Sequence, residues 1–169
     1  MIACLDAAYG EASASAACAI AAGWDAPTPL HEATIRRGEA AAYEPGAFYK
    51  RELPLLLAVL AEIAEAPDII VIDGYVWLDG AGKPGLGAHL HAALGGPAIV
   101  GVAKTEFHGA RNWSEVVRRG RSALPLFITS AGMPPGAAAD GVRRMHGPHR
   151  IPTLLQRVDR LARDALKPA

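Results

Sequence analysis

The sequence predicts an α/β fold in which one mixed β-sheet carries helices packed on it. Three observations point there. Up to residue 38, short apolar runs separated by turn dipeptides read as a three-strand meander. After Pro45 the apolar residues recur at three- and four-residue spacing, the period of a helix. Beyond Pro67, continuous apolar runs alternate with helical segments, as strands buried on both faces do in a layered sheet.

The first strand is "MIACLDAAY", and Gly10-Glu11 offers the turn after it. "SASAACAIAAG" returns as the second strand, although its alanine content suits a helix equally. "DAPTP" (25–29) is a loop, and "LHEATIRRG" (30–38) is the third strand. In the helix that follows, Phe48, Glu52, Leu56, Val59 and Ile63 form an apolar stripe that Leu53, Leu57 and Leu60 widen. Pro54 is a point where that helix starts or bends, and Pro67 closes it. "IIVID" (69–73) is a buried strand, followed by a Gly-rich loop and a short helix over about 86–94. "PAIVGVAK" (97–104) and "LPLFITS" (124–130) are further strands, and helices over about 137–146 and 153–166 end the chain. The ribonuclease H-like arrangement has this order of elements, and other α/β folds share it.

At 169 residues the chain is expected to form one domain, 1–169, with a real core. Formal net charge is zero, which argues against a module that works only by gripping phosphates. Cys4 and Cys18 form no spaced metal motif and read as small buried hydrophobes that a hairpin could bring near each other. No apolar run reaches the roughly 18 residues of a membrane span. The N-terminus lacks a basic n-region, and Asp6 would interrupt a signal core. The expectation is a cytoplasmic protein, monomeric and without a membrane partner.

Three carboxylates stand out because each lies beside apolar neighbours, where an unpaired charge is costly. Asp6 interrupts strand one, on the face of Ile2, Cys4 and Ala8. Glu52 sits at the edge of the helical stripe, and Asp73 ends the most apolar strand with Gly74 after it. Asp73-Gly74 is also ordinary turn chemistry, and Glu52 has Lys50 and Arg51 at hand as ion-pair partners. Clustered carboxylates repel one another unless a cation neutralises them, and Mg²⁺ or Mn²⁺ suits an all-oxygen donor set. Two such ions about 4 Å apart can promote phosphodiester hydrolysis. Periodicity does not say whether the three carboxylates converge.

The local words "LDAAY", "AYEPGAFYKRELP", "DIIVIDG", "KPGLGAHLHAALGGPAIVGVAK" and "LPLFITS" resemble the endonuclease V family in content and order. The likeness runs from about residue 2 to residue 160 and is most specific between 43 and 104. It implies a ribonuclease H-like fold and a metal-dependent nuclease of DNA repair. That family cleaves a phosphodiester on the 3′ side of a deaminated purine such as inosine, in DNA or RNA. By this resemblance Asp6, Glu52 and Asp73 match the metal-binding acids, and Lys104 matches a lysine near the reacting phosphate. Tyr43, Pro45 and Gly46, in "YEPG", resemble a strand-separating wedge, with Gly74 leaving room for the substrate backbone and His89 in the family's "GxxxH". The implied cofactor is Mg²⁺ or Mn²⁺, and the implied partner is single-stranded or lesion-containing DNA or RNA.

The pattern also departs from the family. Gly132 stands where the family has a His, and Ala137 where it has an Asp, with Asp140 three residues on. The His-Pro-Arg after the "DG" strand is replaced by "LDGAGKP", in which Asp79 is either a ligand or a turn residue. His91 lies beside His89 in the same helix. Two basic runs, Arg118-Arg119-Arg121 and Arg143-Arg144-His146-His149-Arg150, grip phosphates or form a solvated face. Of Trp24, Trp77 and Trp113, Trp77 is the favoured base-stacking residue because it follows Asp73 closely. The leading expectation is an endonuclease. The alternatives are a catalytically weak or inactive nucleic-acid-binding relative and an unrelated small-molecule metallohydrolase.

Overall fold

Alternation builds the centre of the sheet. Strand β1 (Ile2–Tyr9) is buried on both faces as far as Leu5 and then emerges, so Asp6 is the first residue past the sealed core. It pairs antiparallel with β2 (Ser13–Ala21), which pairs in turn with β3 (His31–Gly38). The alanine-rich β2 is a strand, not a helix, because both of its neighbours and both helical layers close over it, and almost all of it is buried. The computed structural model describes residues 1–38 and 48–167.

The helix α1 (Tyr49–Leu60) buries Glu52, Leu55, Leu56 and Val59, an i, i+3, i+4, i+7 stripe. It runs through Pro54, which is exposed, and begins a turn earlier than that proline. It also ends well short of Pro67. The strand β4 (Ile69–Asp73) lies parallel to β1, and β5 (Ala98–Ala103) lies parallel to β4. Between them is α2 (Leu86–Leu94). A short edge strand, β6 (Glu115–Val117), pairs antiparallel with β7 (Leu126–Ala131). The sheet order is β3-β2-β1-β4-β5-β7-β6. The chain ends in α3 (Pro135–Arg144) and α4 (Thr153–Ala165).

The sheet separates two apolar layers. Ile2, Cys4, Val71 and Val100 face α3 and α4, together with Val142, Leu154 and Val158. Ala3, Leu5, Ile70 and Ile72 face α1 and α2, together with Leu56, Val59 and Leu90. Cys4 and Cys18 therefore lie on opposite faces, and the sheet stands between the two thiols. Burial pushes the Cys18 thiol up to about 12. Among the described residues no helix is long and apolar enough to cross a membrane.

Candidate active site

The β1–β4 register pairs Leu5 with Ile72. The next step along the parallel pair sets Asp6 beside Asp73, on strands about 4.8 Å apart. Both side chains point to the α4 side of the sheet, the side of Cys4 and Val71. Gly74 has φ +119, so the residue after Asp73 must be a glycine for conformational reasons, while a β-carbon there would meet nothing. Gly74 N–H donates to Val102 O at 3.1 Å, and the chain then crosses β5. It can do so because residue 101 is glycine: a β-carbon there would lie 2.5 Å from Gly74 O. Asp73 thus closes β4, and the bend at Gly74 leaves its carboxylate at the sheet rim.

Asp6, Asp73, Lys104 and Asp159 line one cavity of about 110 Å³, walled by Leu5, Val102, Ile151 and Leu155. Lys104 follows β5, and its Nζ donates to Asp73 Oδ2 at 2.5 Å. Nothing in the sequence singles out Asp159. It lies on α4, one residue after the buried Val158 and four after the buried Leu155, at the margin of the face that packs on β1. Its pairing with Arg163 at 2.8 Å is the usual i, i+4 surface bridge, which hides its second environment.

Glu52 reaches the rim from the opposite layer. It is 6% exposed and lies within the buried stripe of α1 instead of at its edge. With Asp73 and Gly74 it lines a second cavity of about 310 Å³, whose other walls include Phe48, Tyr49, Tyr75, Leu78, Lys83 and Phe107. Asp73 belongs to both cavities.

The electrostatics follow from this crowding. Burial, then the charge of Asp73, raises Asp6 to about 7, against the opposing hydrogen bond from Ala7 N–H and the Lys104 charge. Burial, then the charges of Asp6 and Asp73, raises Glu52 to about 8, partly offset by Arg51. Burial works against the Lys104 ammonium, but its bond to Asp73 and the charges of Asp73, Asp6 and Asp159 hold it above its usual pKa. Among the described residues, no three His, Cys, Asp or Glu side chains already converge as a metal cage.

The His89 ring stacks on Tyr49, centroids 3.6 Å apart, and so ties α2 to the first turn of α1. His91 Nδ1 lies 3.1 Å from Pro97 O, and a β-carbon on Gly132 would come 3.0 Å from His91 Cε1. Asp79 Oδ1 accepts from Ala81 and Lys83 N–H, both at 2.9 Å, which makes it a turn residue. Asp140 bonds Arg143 beside a separate open hollow that Ala137 and Arg144 also line. Arg119 is buried and donates to the carbonyls of Met145, Gly147, His149 and Arg150, so it fastens the α3–α4 loop. Arg150 in turn donates to Lys104 O and Pro125 O. These two arginines of the basic runs are therefore occupied by backbone. Trp77 Nε1 donates to Ser130 O, a structural role. Tyr43, Pro45 and Gly46 lie outside the described residues.

A family model described as endonuclease V matches residues 1–153. The chain belongs to the endonuclease V family. Endonuclease V of Rhodospirillum centenum is 30% identical over 156 residues, 79% of this chain and 63% of that protein. The chain thus spans less than two thirds of that relative's length. The crystal structure of endonuclease V from Streptomyces avermitilis aligns with a TM-score of 0.79 at 25% identity, covering 98% of this chain and 80% of that one. The Ciona intestinalis endonuclease V structure, bound to a 23mer DNA containing an inosine followed by a ribo-adenosine, aligns with a TM-score of 0.71 at 15% identity. It covers 96% of this chain and 83% of that one, a likeness of fold. The mixed seven-stranded sheet of this chain is therefore the endonuclease V fold.

Proposed function

We propose that the chain is a metal-dependent endonuclease that hydrolyses a phosphodiester 3′ of a deaminated purine, notably inosine, in DNA or RNA. One observation carries the reading. Asp73 is the wall shared by a carboxylate-lined cavity and a larger, aromatic one. A flipped base fits an apolar, aromatic-walled space, and its own phosphodiester then lies by the acids. The Ciona relative, crystallised with an inosine-containing DNA, supports the same substrate class.

The donor set fits a hard divalent cation: carboxylate oxygens that repel one another, with Asp6 and Glu52 raised to about 7 and about 8. Asp6, Glu52 and Asp73, joined by Asp159, would hold Mg²⁺ or Mn²⁺. When bound, such ions supply Lewis acidity toward a water and a leaving oxygen, two ions sharing the task. Lys104 offers its ammonium to the scissile phosphate as negative charge grows there. Phe48, Tyr75 and Phe107 hold the base and exclude water from its faces. His89 keeps Tyr49, and with it the Glu52 turn, in register.

The test is cleavage of inosine-containing single-stranded DNA, duplex DNA and RNA, each with Mg²⁺, with Mn²⁺ and with EDTA. Metal-dependent scission on the 3′ side of inosine is expected, and adenosine controls should stay intact. A weak or inactive nucleic-acid binder is the second reading, favoured by Gly132 and Ala137 at the family's His and Asp positions. Tight binding without scission in any metal would select it.

A further inference from the structure

The three tryptophans have different fates. Trp77 is tied to Ser130 O. Trp24 lies against Gly141, where a β-carbon would come 2.4 Å from its Cε2. Trp113 alone of the three is exposed, at 60%. It is also held in place. Gly80 lies so close beneath it that a β-carbon there would fall 1.8 Å from the indole Nε1. Trp113 N–H donates to Ala110 O at 2.9 Å, and Ala110 is fully buried.

Trp113 is packed against a turn whose flanking residues wall the aromatic cavity. Leu78 and Lys83, which line that cavity, flank the turn that contains Gly80. Phe107, another lining residue, is pinned by its N–H to Tyr75 Oη at 3.0 Å. A β-carbon on Gly109 would lie 2.5 Å from Leu78 O, so the segment carrying Trp113 is clamped to the cavity rim. Arg111, two residues before Trp113, is 69% exposed while its Nε meets Glu106 at 3.2 Å. Among the described residues, four of the seven exposed large hydrophobics, Phe107, Trp113, Val116 and Leu124, fall in this one segment.

We infer that Trp113, with Arg111 beside it, is a stacking platform for a nucleotide that flanks the one held in the aromatic cavity, on a single-stranded DNA or RNA. This rests on the endonuclease reading, because the cavity fixes where the strand begins. An immobilised indole at a cavity rim stacks any base without reading its identity, and a neighbouring guanidinium adds a phosphate contact. The consequence is a dependence on strand length.

Binding is read by anisotropy in EDTA, so that it does not require cleavage. The probes are inosine oligonucleotides with roughly two or roughly eight flanking nucleotides on each side, spanning less and more than a typical single-strand site, in DNA and in RNA. The wild type should prefer the longer strand. Trp113→Ala should reduce the long-to-short affinity ratio by roughly tenfold, the scale of one lost base stack, and Trp113→Phe should restore most of it. Leu30→Ala, an exposed apolar residue elsewhere, should leave the ratio alone. Equal losses on both lengths, an unchanged ratio in Trp113→Ala, or no length preference in the wild type would overturn the inference. A preserved ratio effect without cleavage would count against the endonuclease reading only.

Discussion

Lys104 Nζ lies 2.5 Å from Asp73 Oδ2, and Asp73 is the residue common to both cavities. The ammonium therefore stands where the carboxylate-lined cavity adjoins the larger one. If it acts on charge that grows during reaction, its removal slows chemistry more than it weakens binding. Lys104→Ala should lower the single-turnover rate by roughly a hundredfold while changing substrate affinity by less than about fivefold. Affinity falling with the rate intact would make it a phosphate anchor instead.

Asp6 and Glu52 should make stability depend on pH in the opposite sense to ordinary paired carboxylates. Both carboxyls are raised, to about 7 and about 8, chiefly by burial and then by neighbouring charge. Between about pH 4 and pH 8 the folded chain therefore holds protons that the unfolded chain has released, so stability in EDTA should fall as pH rises through that window. Chemical denaturation across this range reads the slope directly. Asp6→Asn should flatten it and raise the melting temperature at pH 8 more than at pH 5, and Mg²⁺ should stabilise the wild type most at the higher pH. A stability that climbs from pH 5 to pH 8 in EDTA would contradict this.

Asp159 and Asp140 make a paired test. Asp159 shares the cavity of Asp6 and Asp73, whereas Asp140 lines a different hollow beside Arg143. Asp159→Asn should weaken Mg²⁺ affinity or cleavage by roughly tenfold or more, and Asp140→Asn should stay within about twofold. Titration of both variants with Mg²⁺ under single-turnover conditions separates them. Equal effects would remove Asp159 from the site.

Much of the fold is legible because its signals are local. Continuous apolar runs mark β4, β5 and β7, and the helical stripe marks α1. The edge strand β6 spans only Glu115–Val117, too short for a period to show. The carboxylates Asp6, Glu52 and Asp73 are legible because each breaks an apolar pattern. Asp159 is not, because an acid four residues before an arginine on an amphipathic helix looks like a solvated pair. Only the packing of α4 on β1 brings it to the sheet rim. Proximity in sequence also misleads for Trp77, which follows Asp73 closely yet spends its indole N–H on Ser130 O. Trp113, thirty-six residues farther along, is the one left facing solvent.

Tyr43 carries a prediction from sequence alone. "AYEPG" leads into the helix of Glu52, and Glu44 beside the tyrosine would be repelled by phosphates. The wedge should therefore be weak, with single-stranded substrate cut faster than duplex. Tyr43→Ala should reduce duplex cleavage by roughly tenfold, a lost stacking contact, and single-strand cleavage less. Equal reduction on both would assign Tyr43 to the fold.

Asp6, Glu52, Asp73 and Asp159 are proposed to hold the catalytic cation at the rim of the sheet. Crystals grown with Mn²⁺ and measured at its absorption edge locate the ion without reference to activity. An anomalous peak within about 2.2 Å of an Asp73 oxygen is expected, shared with Asp6, Glu52 or Asp159, with Lys104 Nζ withdrawn from Asp73. No peak at this rim under saturating Mn²⁺, with the Lys104–Asp73 bond intact, would contradict it.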